Sequence, residues 1–351
     1  MEDSEALAIA RRCAPHFEAT GLDTAPNVTA ACAKSVATLW GGMGAVYELC
    51  ANSRNARVTF IVKVVRMPKG RLSVGDERKR KSYEVESRFY ADGHAVKLIA
   101  AGCNVPRPLL VERSEDGTNV IIAMTKLSGR SDDSDLDRAR AETALTFLAK
   151  LHSVYWGRER AGAAVAAGLQ SQGAYWFLDT RRDEWERMPT KGWEGRLRLA
   201  ARALDERLKA DPMQTIVHGD AKEANMVFDV AGAVGFCDFQ YVGMAPPSKD
   251  LAYCLCCASS TPAAEAALLK HYHNELSTRL AAQGDASPSL DALATSTSLA
   301  YCDLGRWMSG WGWWGHDLRG KILPVLDRLD GGKALPSDEA YVVAMRREFP
   351  V

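Results

Sequence analysis

The stretch His218-Gly219-Asp220, with Asn225 following and Asp238-Phe239-Gln240 further on, limits what this chain can be more than any other feature. A carboxylate that shortly precedes an amide shares one loop with it. There the carboxylate can accept a hydroxyl proton, while the amide oxygen helps to hold a magnesium ion. A second carboxylate downstream, Asp238, suits the metal that bridges nucleotide phosphates. The order of these side chains points to phosphoryl transfer. Asp220, ionised at neutral pH like any ordinary carboxylate, is placed to orient a hydroxyl and take its proton late in the transfer. His218 reads as a structural residue that hydrogen-bonds loop backbone beneath the site. Asp250, in Asp250-Leu251-Ala252-Tyr253, reads as the cap of the following helix and a brace for the loop.

A chain of 351 residues holds a sizeable core and roughly two domains or one bilobal unit. Hydrophobic residues make up 47% and charged residues 25%, the balance of a globular protein. Lys plus Arg equal Asp plus Glu, 44 against 44, so no global field favours nucleic acid or an anionic membrane as a partner. The opening Met1-Glu2-Asp3-Ser4-Glu5 is acidic and lacks an apolar signal segment, and no apolar run reaches spanning length; a cytoplasmic address is expected. Nine cysteines, odd and scattered, predict reduced thiols. Cys254, Cys256 and Cys257 lack metal-site spacing and read as small apolar residues on a helix.

Residues 1–35 read as a helical extension, 36–127 as a nucleotide-binding front lobe, and 128–351 as a catalytic and acceptor-binding lobe with a helical insertion at about 157–211. Short β-branched and aromatic runs at Val36–Trp40, Ala45–Cys50 and Val58–Val65 predict an antiparallel sheet, opened by the glycine turn 41–44 and continued after the turn-like Asn52-Ser53-Arg54-Asn55. Asp76–Ala101 reads as one long helix ending near Gly102. Leu109–Val111 and Val120–Met124 are further strands. Ser128–Asp137, with Gly129 and its aspartates, marks a boundary, and Ala141–Trp156 is a clear helix.

Gly41, Gly42 and Gly44 permit close approach of backbone to phosphate, although a plain hairpin explains them equally. Lys63 shifts the balance. Within Phe60-Ile61-Val62-Lys63-Val64-Val65 every neighbour suggests a buried strand, where a lysine needs an anionic partner or a route to solvent. Glu86 is the preferred partner and Glu84 the competitor. Residues two apart on a helix point about 200° away from each other, and Glu86 shares its face with Phe89.

In order, Leu148-Ala149-Lys150-Leu151-His152 with Tyr155-Trp156, His218-Gly219-Asp220 with Asn225, Asp238-Phe239-Gln240 and Asp250-Leu251-Ala252-Tyr253 resemble the markers of a known family. It is the aminoglycoside phosphotransferase and choline kinase superfamily, most closely its ecdysteroid-kinase-like (CHK-like) branch. The resemblance spans about residues 36 to 315. It implies an α+β, bilobal, protein-kinase-like fold: an N-terminal antiparallel sheet lobe with one long helix, and a larger, mostly helical C-terminal lobe. It also implies the use of ATP and Mg2+ to phosphorylate a small-molecule hydroxyl. By that likeness Lys63 and Glu86 form an ion pair, Asp220 is the base, and Asn225 and Asp238 are metal ligands. Gly41, Gly42, Met43 and Gly44, with Lys63, Met124 and Lys126, are assigned to the nucleotide.

Gly42-Met43-Gly44-Ala45-Val46-Tyr47 also looks like the nucleotide loop of bacterial-type Ser/Thr protein kinases, with Leu39 in place of the first glycine. Gly219 argues against a protein substrate, because protein kinases place there an arginine that pairs with an activation-loop phosphate. The alternatives are a nucleotide-binding pseudokinase and, third, a protein Ser/Thr kinase. For the acceptor, Trp307, Trp311 and Trp313, with Asp303 and Asp317 nearby, suit a cationic or ring-bearing alcohol. Packing of large aromatics explains the same residues.

Overall fold

A computed structural model describes residues 1–22, 27–53, 56–68, 72–131, 134–258 and 261–351. Arg54 and Asn55 of the expected turn, and Asp132 and Asp133 of the expected boundary, lie outside these. The chain forms two compact units, Met1–Arg130 with Gly235–Gln240, and Ser131–Val234 with Tyr241–Val351.

In the first unit helix α1 (Asp3–Cys13) repeats small and apolar residues at helical spacing, so Ala6, Ile9, Ala10 and Cys13 share one buried face. That face packs on a five-stranded antiparallel sheet of order β1-β2-β3-β5-β4, formed by Ala30–Thr38, Gly44–Asn52, Arg57–Arg66, Pro108–Arg113 (β4) and Asn119–Thr125 (β5). Phe17 meets Phe60 at 5.5 Å between ring centroids. Such a pair adds about 0.5–1.5 kcal/mol to its area burial.

Two expectations fail here. Residues 30–35 are strand, not the end of a helical extension: Ala30 pairs with Asn52 and the ladder runs on to Thr38 against Ala45. The alanines that suggest helix are overruled by cross-strand pairing. The expected single helix from Asp76 to Ala101 is two, α2 (Val74–Ala91) and α3 (His94–Ala100), because Gly93 adopts φ +83° between them. A reciprocal cap between Ser73 and Asp76 starts α2, contributing about 1 kcal/mol.

The second unit begins with α4 (Arg138–Val154), α5 (Arg158–Ala166), α6 (Arg182–Arg187) and α7 (Gly192–Ala210). Strands β6 (Thr215–Val217), β7 (Met226–Phe228), β8 (Val234–Phe236) and β9 (Gly243–Ala245) follow, of which β8 lies in the second unit only at Val234, its Gly235 and Phe236 opening the segment that belongs to the first. Helices α8 (Ser248–Cys256), α9 (Pro262–Gln283), α10 (Leu290–Trp311), α11 (Arg319–Asp330) and α12 (Asp338–Glu348) complete it. Leu145, Leu148 and Leu151 turn one face of α4 inward, and β6 pairs antiparallel with β9. Among the described residues no helix is long and apolar enough to cross a membrane.

All nine cysteines are free. Burial pushes the thiols of Cys13 and Cys256 up to about 12 and raises that of Cys254, whereas Cys32 is exposed. A thiol reagent at pH 8 is therefore expected to modify Cys32 first, and Cys13, Cys254 and Cys256 only on unfolding. Peptide mapping of the labelled native chain checks this; early labelling of Cys254 would contradict the packing of α8.

Candidate active site

Along β3, Val58, Phe60, Val62 and Val64 face α1, and alternation turns Lys63 to the opposite face, toward α2. There Lys63 Nζ donates to Glu86 Oε2 at 2.6 Å and to Asp238 Oδ1 at 3.3 Å, and it lies 5.4 Å from the ring centre of Tyr83. Burial disfavours the charged lysine, but Asp238 and Glu86 outweigh it and hold its pKa above the ordinary lysine range. Burial lifts the Glu86 carboxyl, and Lys63 pulls it back. Glu84 instead pairs with Lys81 and Arg88 at the surface.

Asp238 is held at φ +65°, a left-handed conformation that costs an aspartate on the order of 1 kcal/mol. Its neighbours secure it, since Phe239 stacks on Phe89 at 4.0 Å and Gln240 accepts from Ser82 at 3.2 Å. About a third of the Asp238 side chain stays exposed.

The glycine turn divides. Gly41 and Gly42 both have positive φ, and a side chain on Gly41 would meet Lys79 Nζ at 2.8 Å. Lys79 was not foreseen, because it is hidden in the charged first half of α2. Gly44 is required by packing: a Cβ there would lie 2.0 Å from the Val64 carbonyl. Met43 and Met124 bury their side chains, Met124 opposite Ile61, and Lys126 is ion-paired with Glu48. The structure accounts for these three by packing and surface pairing.

In the second unit, β6 delivers the loop that carries Asp220. The buried Asp250 carboxylate accepts from the backbone N–H of His218 at 2.7 Å and of Gly219 at 2.9 Å, and meets His152 Nε2 at 3.1 Å. His152 Nδ1 in turn meets the Tyr272 hydroxyl at 2.7 Å. Asp250 was expected to cap its own helix as well. It does not: α8 has no side-chain cap, because the carboxylate is taken up by the loop N–H groups and by His152. Gly219 has φ +83°, and a Cβ there would come within 2.2 Å of the Tyr241 carbonyl, so glycine alone fits. His218 Nδ1 accepts from the Asp220 N–H at 3.3 Å, the structural part expected of it.

Asn225 Nδ2 donates to the Asp220 carbonyl and to Asp220 Oδ2, both at 2.9 Å. Lys222 Nζ lies 3.3 Å from the same Oδ2. It was overlooked, and the signal available was its position two residues past Asp220 on an irregular loop. Tyr175 was overlooked too. Its N–H donates to the Gly219 carbonyl at 3.2 Å, and its hydroxyl meets that of Tyr253 at 3.2 Å.

The expected acceptor residues fare unevenly. Asp303 is fully buried between Lys249 and Arg306, so its charge is spent internally and does not face an acceptor. Trp307 is buried among Tyr175, Trp176, Trp311 and Trp314, and Trp313 packs on Trp193 at 5.6 Å. Trp311 keeps 48% of its surface exposed.

Residues 57–284 match the phosphotransferase enzyme family, APH, and the chain belongs to that family. No curated protein matches its sequence. Among solved structures, the microcompartment-associated aminopropanol kinase is 17% identical, with coverage of 97% of this chain and 96% of that one and a TM-score of 0.52. The choline kinase LicA from Streptococcus pneumoniae is 17% identical, with coverage of 86% and 93% and a TM-score of 0.47. An aminoglycoside-3'-phosphotransferase of type VIII is 22% identical, with coverage of 79% and 93% and a TM-score of 0.46. The α+β fold, an N-terminal antiparallel sheet followed by a mostly helical part, is that of the small-molecule kinases, and the chain is a phosphotransferase.

Burial raises the pKa of Asp303, but Arg306 and Lys249 outweigh it, so the net shift is downward. A depressed folded value stabilises the protein above the ordinary carboxylate range, and that contribution is lost as pH falls through the folded value. Asp303→Asn is expected to lower stability by about 3–5 kcal/mol at neutral pH, with the gap narrowing below about pH 4. Urea unfolding of both proteins across pH measures this.

Proposed function

We propose that the chain is an ATP- and Mg2+-dependent kinase that transfers the γ-phosphate to a hydroxyl of a small molecule. The observation that carries this reading is Lys63, a buried ammonium fixed by Glu86 at 2.6 Å and by Asp238 at 3.3 Å. A lysine so held presents a rigid positive charge to nucleotide phosphates. Asp220, braced through its loop by Asp250 and oriented by Asn225, takes the acceptor's hydroxyl proton. Lys222, beside Asp220, offsets negative charge on the transferring group. Gly41 and Gly42 offer backbone N–H groups to phosphate.

Each unit carries a donor of the kind magnesium takes: in the first the part-exposed carboxylate of Asp238, in the second the amide oxygen of Asn225, both hard oxygen ligands for an ion that takes few protein ligands and keeps waters. Such an ion, when bound, would neutralise phosphate charge. Within the family, the markers from Leu148 to Tyr253 favour the ecdysteroid-kinase-like branch, and the composition a cytoplasmic address.

ATP consumption across a panel of hydroxylated metabolites tests the reading. With an acceptor found, Asp220→Asn is expected to lower kcat by about 10²–10⁴-fold with nucleotide binding retained. Lys222→Ala should lower kcat with little change in the KM for ATP. Turnover undiminished in Asp220→Asn would reject the assignment.

A further inference from the structure

The aromatic cluster of the second unit adjoins the loop that carries Asp220. Tyr175 is hydrogen-bonded to that loop through Gly219, and burial and the Asp220 charge both raise the pKa of its phenol. From Tyr175 the rings continue to Trp307 at 4.8 Å, and from Trp307 to Trp311 at 6.2 Å and Trp314 at 5.0 Å. Trp311 and Trp314 reach solvent, so the cluster is open on one side. Electron-rich faces arranged in this way form a box for a cation.

The box already holds one. The guanidinium of Arg181 lies 5.1 Å from the ring centre of Tyr175 and 5.8 Å from those of Trp307 and Trp311, all within the roughly 6 Å reach of a cation–π contact. Arg181 is only 6% exposed. Its Nε donates to the Tyr175 carbonyl at 2.7 Å, and its Nη1 lies 3.3 Å from Glu184 Oε1, another buried group. The acid expected to attract a cationic acceptor, Asp303, is meanwhile neutralised by Lys249 and Arg306. Among the described residues the buried Trp307 Nε1 has no hydrogen-bond partner, which leaves a donor suited to a neutral oxygen.

We propose that Arg181 permanently fills the cation place of an aromatic box beside Asp220, and that the acceptor is therefore an alcohol without a fixed positive charge. Arg181 is the specificity-determining residue, and Trp311 forms the outer wall of the acceptor's approach. This rests on the kinase reading for the word acceptor, while the occupancy of the box stands without it.

The test needs neither ATP nor turnover. Tryptophan emission of the full chain is followed while choline or tetramethylammonium is added at constant ionic strength, for wild type, Arg181→Ala, Arg181→Gln and Arg181→Lys. Wild type and Arg181→Lys should show no saturable response. Arg181→Ala and Arg181→Gln should gain saturable binding, at least about tenfold tighter than any wild-type response. Should Arg181→Ala fail to fold, Arg181→Gln, which keeps a side-chain amide for the Tyr175 carbonyl, takes its place.

Saturable choline binding by wild type overturns the proposal, whatever the variants do. So does the absence of a gain in a variant whose near-ultraviolet circular dichroism matches wild type. Failure here leaves an Asp220-dependent kinase intact, and failure to find any Asp220-dependent activity leaves the titration valid.

Discussion

An ammonium on a buried strand persists only where carboxylates answer it, and in the first unit that demand fixes almost everything of chemical interest. Removing one member of a buried charge pair strands the other, at a cost of about 3–5 kcal/mol. The phase of α2, which turns Glu86 inward, the Phe89–Phe239 stack and the left-handed backbone of Asp238 are therefore tied to one nitrogen, Lys63 Nζ. Strain at Asp238 is tolerable because its surroundings over-determine its place.

The second unit obeys the same rule with the sign reversed. Asp250 is a buried anion answered by two backbone N–H groups and an imidazole, which makes it a bracket for the loop at Gly219. Its neighbour on α8, Lys249, answers Asp303 on α10, and Arg306, one turn further along α10, reaches the carbonyl of Trp176. One short helix thus anchors both the loop that carries Asp220 and the helix that carries Trp307. A charge removed from α10 would be felt in the aromatic cluster and, through α8, in the loop.

How legible this was depends on the range of the signal. Lys63 stood out because nothing else from Phe60 to Val65 was polar, and Glu86 because helix phase ties it to Phe89. The loop from His218 to Asn225 carried its meaning in local spacing. The strand at residues 30–35 did not, since its alanines take their state from partners in β2. Asp303 was misread because Lys249, the partner that silences it, lies 54 positions away. Arg181 was invisible for the same reason: Arg181-Arg182-Asp183 reads as a solvated surface, and only the fold brings three rings around the first of them.

That last case explains why family membership conveys the reaction more readily than the acceptor. The same tryptophans serve a cationic acceptor when their box is open and exclude it when the chain supplies the guest, and composition is nearly blind to the difference. Energetically the internal guest has the advantage. A free ammonium gives up translational freedom on entering, whereas a tethered guanidinium competes at an effective concentration in the millimolar range or above. It also donates N–H hydrogen bonds to the Tyr175 carbonyl and to Glu184, and a quaternary ammonium has no N–H to donate. Asp303, already neutralised by Lys249 and Arg306, adds nothing in favour of an incoming cation.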